Sequence, residues 1–179
     1  MPAKASLIIN KEKKKIPRSS TRYPRINNTF DYTPRSMTIH QLSVFIENKS
    51  GTLLRVLQSL KDANIQIIAS TIADTQEYGI YRIICSEPTK AYLLLKEDGI
   101  NVVLSDVFAI ALDDEPGRAA EAVKLFSSNG IGINYMYSFL LHGKGILVFR
   151  TDNTEKTRQV IDSNRLNFVE ETQLNAIAK

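Results

Sequence analysis

The chain repeats itself at a fixed offset of 66 residues. Gly51 aligns with Gly117, Ile65 with Ile131 and Ile67 with Ile133. Gly79-Ile80 aligns with Gly145-Ile146, and Lys90 with Lys156, with no gap between these points. Two copies of one small fold therefore occupy the chain from about residue 41 to about residue 172. A unit of this size buries only a modest core, so two copies gain by sharing an interface.

Charge separates the repeats from what precedes them. Residues 1–36 hold nine Lys or Arg against Glu12 and Asp31, net +7. The remaining 143 residues hold fourteen basic and seventeen acidic side chains, net −3. The formal +4 of the whole chain thus lies in the segment ahead of the repeats. Four of the six prolines (Pro2, Pro17, Pro24, Pro34) also fall there. Residues 1–36 read as a disordered basic tail, with Met37 an alternative start immediately before the first strand. Lys13-Lys14-Lys15 is a short basic block suited to nucleic acid or an acidic surface. No run of 18 apolar residues is present, and no export signal is legible. Cys85 is the only cysteine, which leaves no internal disulfide and fits a reducing, cytoplasmic setting.

Leu42, Val44 and Ile46 alternate with Ser43 and Phe45, the pattern of a strand with one buried side. After a turn at Glu47–Gly51 the period changes. Leu53, Leu54, Val56, Leu57 and Leu60 follow helical spacing, and Asn64 closes the helix. Strands follow at 65–73 and 81–85, a second helix from Pro88 to about Asp98, and a strand at 101–105. The second copy reads strand 107–112, helix 118–129 with Ala119, Val123 and Phe126 inward, strands 131–141 and 146–151, helix 155–164, and strand 166–169. From Thr172 onward no element is legible. The order is βαββαβ twice: an α+β chain of two ferredoxin-like domains, 37–106 and 107–179. Each is expected as an antiparallel sheet with helices on one face. With no linker at the boundary, the two sheets or helix layers are expected side by side. Exposed strand edges make a homodimer the expectation.

The turn between first strand and first helix is where a ligand would sit. It reads Asn48-Lys49-Ser50-Gly51-Thr52-Leu53 in one copy and Asp114-Glu115-Pro116-Gly117-Arg118-Ala119 in the other. A glycine at a helix mouth lets backbone approach a small molecule. First-turn N–H groups lack intrahelical acceptors and, with the helix dipole, hold a carboxylate. A purely conformational glycine beside a helix cap is the plainer alternative.

With these turns, the βαββαβ order and an Asn or Asp three residues ahead of the glycine, the chain resembles ACT domains, small regulatory modules that bind amino acids. Residues 41–51 and 135–139 are similar in particular to stand-alone tandem ACT-domain proteins. The resemblance implies a ligand where two modules meet, the glycine turn of one facing the second strand of its neighbour. It names the two turns above. It also names Ile67, Ile68, Ala69 and Ser70, or Ile133, Asn134, Tyr135, Met136, Tyr137 and Ser138, as the opposing strands. Lys49 and Ser50 favour a carboxylate in the first site. Glu115 disfavours one in the second, partly offset by Arg118. Tyr135 and Tyr137 share a face and are suited either to an aromatic or imidazole ligand side chain or to an interface.

Nothing assembles an enzyme. His40 and His142 are the only histidines and do not recur in the 66-residue register. No nucleophile is paired with a base, and no metal or cofactor site is expected. Gly143-Lys144-Gly145 lacks the strand–loop–helix context of a phosphate loop. Three functions remain: an amino-acid-binding regulatory protein, a structural adaptor with degenerate pockets and a protein partner, or nucleic-acid binding through the tail.

Overall fold

Alternation at Thr38–Glu47 builds β1, a ten-residue strand at the heart of the sheet. The computed structural model describes residues 36–74 and 78–177. The tail reading, including Lys13-Lys14-Lys15, lies outside the described residues. The elements after β1 are α1 (Thr52–Asp62), β2 (Ile67–Asp74), β3 (Tyr78–Cys85), α2 (Pro88–Glu97) and β4 (Val102–Leu112). Then come α3 (Arg118–Ser128), β5 (Ile133–Leu141), β6 (Lys144–Thr151), α4 (Thr154–Ser163) and α5 (Glu171–Ile177).

The six strands form one antiparallel sheet in the order β2-β3-β1-β4-β6-β5. This differs from two sheets side by side. The strands expected at 101–105 and 107–112 are a single strand, β4. Its first part pairs with β1 and its last part with β6; Phe108 is opposite both Thr38 and Phe149. Asp106 does not interrupt it, because the carboxylate stays largely exposed and lies 3.7 Å from His40 Nε2. The strand expected at 166–169 is reduced to a bridge between Phe168 and Ile110. Val169 N–H donates to the Ala109 carbonyl and Ala111 N–H to that of Asn167. The two repeats are ferredoxin-like βαββαβ modules sharing one sheet.

The repeat is legible in the helix ends. Residues 64, 130, 99 and 165 take a left-handed backbone at the four stops. Each next residue returns its N–H to a helix carbonyl: Ile65 to Leu60, Ile131 to Phe126, Ile100 to Leu95, Leu166 to Ile161. This stop satisfies orphan carbonyls of the last turn.

Helices α1 and α2 cover Leu42, Val44 and Ile83 with Val56, Leu60, Ala91 and Leu95. In the second module Phe108, Ile110, Leu147 and Phe149 meet Ala122, Phe126, Val160 and Ile161. Two expected inward positions are not: Ala119 is exposed, with Ala122 taking the buried place, and Leu54 is 66% exposed. α3 is rotated so that the stripe runs through Ala122 and Phe126, one turn apart.

The helix-free faces of the two modules fold toward each other. Ile39, Ala69 and Ile84 of the first pack with Val107, Ala109, Ile146 and Val148, joined by Val169 and Leu174. Leu174 comes from α5, in the stretch from Thr172 onward where no element is legible in the sequence. Glu170 N–H donates to Gln173 Oε1, a half capping box that was its available signal. His40 Nδ1 lies 2.6 Å from Glu171 of the same helix.

Cys85 is buried in the first core. Burial pushes its thiol up to about 11 from 9.0, opposed by a backbone hydrogen bond near Glu87. The folded state thus resists forming the thiolate. Its contribution to stability is present below pH 9 and is lost as pH rises from about 9 to about 11. At about 1.4 kcal/mol per pKa unit, the loss is roughly 2–3 kcal/mol. Urea midpoints for the wild type and Cys85→Ala should therefore converge above pH 9. Parallel curves would contradict this assignment.

Candidate functional site

Both glycine turns adopt one geometry. Gly51 has φ 90° and ψ −19°, Gly117 φ 93° and ψ −14°. Arg55 N–H reaches the Gly51 carbonyl at 3.0 Å, and Glu121 N–H the Gly117 carbonyl at 3.0 Å. Neither helix has a side-chain cap. The N–H groups of Leu53 and Leu54, and of Ala119 and Ala120, are the ones a first helical turn leaves without an intrahelical acceptor. A Cβ at either glycine would meet nothing within 4 Å, so the left-handed backbone, not space, calls for glycine here.

The two turns differ in charge. Residues 47–55 carry Lys49 and Arg55 against Glu47, net +1; residues 113–121 carry Arg118 against Asp113, Asp114, Glu115 and Glu121, net −3. Lys49 Nζ is 2.5 Å from Glu47, whose hydrogen bond and charge raise the ammonium pKa. Thr52 Oγ1 donates toward the carbonyls of Glu47 and Lys49, closing the first turn. Arg118 donates to Glu121 at 3.0 Å and to Glu115 at 2.8 Å. Its cation is already paired, with Glu115 of the turn and Glu121 of the helix. An anion is therefore favoured at the first turn over the second.

Asn48 folds back over β3. A Cβ on Gly79 would sit 3.2 Å from Ile46 Cγ1 and 3.3 Å from Asn48 Oδ1. In the second copy a Cβ on Gly145 would meet only the Leu112 carbonyl, at 3.9 Å. Gly79→Ala is expected to lower stability by about 1 kcal/mol or more by overpacking, and Gly145→Ala by less. Thermal unfolding of the two variants checks this; equal effects would refute it. A cavity of about 360 Å³ adjoins the first turn, between Phe45, Thr52, Arg55 and Gly99–Asn101. Arg55 donates to the Asp98 carbonyl at its rim.

The opposing strands lie elsewhere. β2, with Ile67, Ile68, Ala69 and Ser70, and β5, with Ile133 to Ser138, are the two edges of the sheet. Ile68 and Ala69 pack into the core between the modules. Asn134, Met136 and Ser138 are exposed. Tyr135 and Tyr137 reach back across the sheet face to β1. Gln41, fully buried, donates from Nε2 to the Tyr135 hydroxyl at 2.8 Å, and Tyr137 donates to Gln41 Oε1 at 3.0 Å. Burial and the neighbouring Tyr135 push the Tyr137 phenol above its usual range. The Arg82 guanidinium covers the Tyr135 ring at 4.0 Å. Gln41 and Arg82 were not among the expected site residues. Both sit on the helix-free face of the sheet, and only the curl of the sheet encloses them.

Among the described residues, no group of three or more His, Cys, Asp or Glu side chains is placed to hold a metal ion. No helix among the described residues is long and apolar enough to cross a membrane. His142 and Gly143, both with positive φ, form the two-residue turn between β5 and β6.

Twin ferredoxin-like modules with glycine turns that lack a side-chain cap define a class of ligand-binding regulatory modules. Residues 37–178 match the family model described as an ACT domain pair, and the chain belongs to that family. It is similar to protein BT0572 from Bacteroides thetaiotaomicron, at 36% identity and a TM-score of 0.74, over 78% of this chain and 96% of that one. It shares its fold with the regulatory subunit of aspartate kinase from Thermus thermophilus, at 15% identity and a TM-score of 0.53, over 73% and 93% of the respective chains. No curated protein matches the chain.

Proposed function

We propose that the chain is a regulatory protein that takes the carboxylate of a free amino acid at the first glycine turn, on the N–H groups of Leu53 and Leu54. The observation that carries this is the pair of left-handed glycines opening uncapped helices, one turn net positive. The flanking Asn48, Lys49, Ser50 and Thr52 would contact the ligand. The second turn, Asp114 to Ala119, is a weaker copy, because its carboxylates repel an anion. The modules divide within β4, near residue 106. Since both candidate opposing strands are sheet edges, a second copy would bring β2 or β5 to the turn. Met136 and Ser138 of β5, exposed, would be its contacts, and a homodimer the working form. A cytoplasmic setting accords with the lone, buried Cys85.

A thermal-shift screen of the full chain against the twenty amino acids tests this. One of them should raise the melting point with dose, by the equivalent of about 2.7 kcal/mol at a hundred times its Kd. The same ligand should shift the sedimentation of the protein toward a dimer. No response from folded protein at millimolar concentrations would reject the reading.

A further inference from the structure

The helix-free face of the first module is only half covered. Around Ile39 and Ile84 it packs against Val107, Ala109 and Val148. Further along β1 the cover ends: Phe45 is 40% exposed and Val103 46%. Register places Phe45 opposite Ile80, and Ser43 opposite both Arg82 and Val103. Arg82 is in turn opposite Thr71. Opposed residues share a face. A row of Val103, Ser43, Arg82 and Thr71 therefore lies beside the apolar pair Phe45 and Ile80.

Arg82 is the charge in this surface. Its guanidinium is stacked on Tyr135, which Gln41 holds by its hydroxyl. Its Nε is shielded from solvent without a hydrogen-bond partner, and among the described residues no carboxylate is ion-paired to it. Ser43 Oγ accepts from Gln41 Nε2 at 3.1 Å, which leaves its O–H free to donate. A guanidinium stacked on an aromatic ring, with no carboxylate ion-paired to it among the described residues, is a fork suited to a carboxylate. The residues set around it, Ser43, Thr71, Val103, Phe45 and Ile80, are all neutral, and Glu47, further along the same face of β1, is paired with Lys49.

We propose that this surface binds a small apolar carboxylic acid, its carboxylate on Arg82 and Ser43 and its hydrocarbon on Phe45, Ile80 and Val103. The site is distinct from the glycine turns and does not depend on their being occupied.

The test is a titration of the full ¹⁵N-labelled chain with phenylacetate, and with phenylacetamide as the neutral isostere. The Arg82 Nε–H signal, assigned by its loss in Arg82→Gln, should move with phenylacetate and not with the amide. Arg82→Gln should weaken phenylacetate binding at least roughly tenfold, and Arg82→Lys, which keeps charge but loses the fork, by less. If Arg82→Gln does not fold, Arg82→Lys, which also removes the Nε–H signal, supplies the assignment, and the acid–amide comparison on the wild-type chain decides. Equal shifts with acid and amide would overturn the proposal. So would shifts confined to the Leu53 and Leu54 amides, which put the probe in the turn. So would an Arg82 signal that responds to protein concentration and not to phenylacetate, which makes the face a contact between copies.

Discussion

Phe126→Ala is expected to lower the stability of the chain by about 3–5 kcal/mol. Phe126 is fully buried, with its ring centroid 4.9 Å from that of Phe149, which stacks on Phe108 at 5.6 Å. No neighbouring main chain is free to collapse into the space, because Phe149 and Phe108 belong to adjacent strands of the shared sheet. At the matching places the first module has Leu60, Ile83 and Leu42, all aliphatic and all buried. The loss should appear in a urea titration as one transition moved to lower denaturant, although the lesion lies in the second module alone. The reason is β4: its residues pair with β1 at one end and β6 at the other, so neither module unfolds without breaking the sheet of its neighbour. A second, unshifted transition belonging to the first module would refute this coupling.

Gly51→Val should cut amino-acid affinity by at least about a hundredfold while leaving the chain folded. A left-handed backbone costs an L residue roughly 1–2 kcal/mol, and a β-branched one is a clear outlier there. The valine Cβ would meet no atom of the chain. The lost affinity would instead come from a side chain standing where a carboxylate must approach the helix end, and from relaxation of the turn that aims the N–H groups. Gly117→Val, at the acidic turn, should matter less for binding and about as much for stability. Calorimetric titration of both variants with the amino acid found in the screen, together with circular dichroism, separates the two effects. Unchanged affinity in Gly51→Val would remove the first turn as the site.

Much of this architecture is written in spacing. The 66-residue repeat, the helical stripe of Val56 and Leu60 and the left-handed stops at Asn64 and Gly130 are local signals, and local structure obeys them. The glycine turns are equally legible, because a positive φ ahead of a helix leaves a mark in one residue. α3 was misphased by the alanines: Ala119 and Ala122 are alike in sequence, and only the sheet beneath decides which is covered. α5 was missed because seven residues carry little period, and its burial depends on Leu174 meeting strands far away in the chain.

What the sequence alone determined is the pair of modules, the order of the strands and helices within each up to its last helix, and the two turns, since periodicity and backbone sterics act over a few residues. Tertiary structure decided the rest. β4 runs unbroken through the boundary between the repeats, because an exposed Asp106 can sit in a strand that both modules need. It also decided that Gln41, Tyr135, Tyr137 and Arg82 meet, although β1 and β5 are three places apart in the sheet. Their contact comes from the curl of the sheet, which brings the helix-free faces together to bury the apolar side chains around them. A polar residue at an alternate strand position reads as solvated until another strand closes over it.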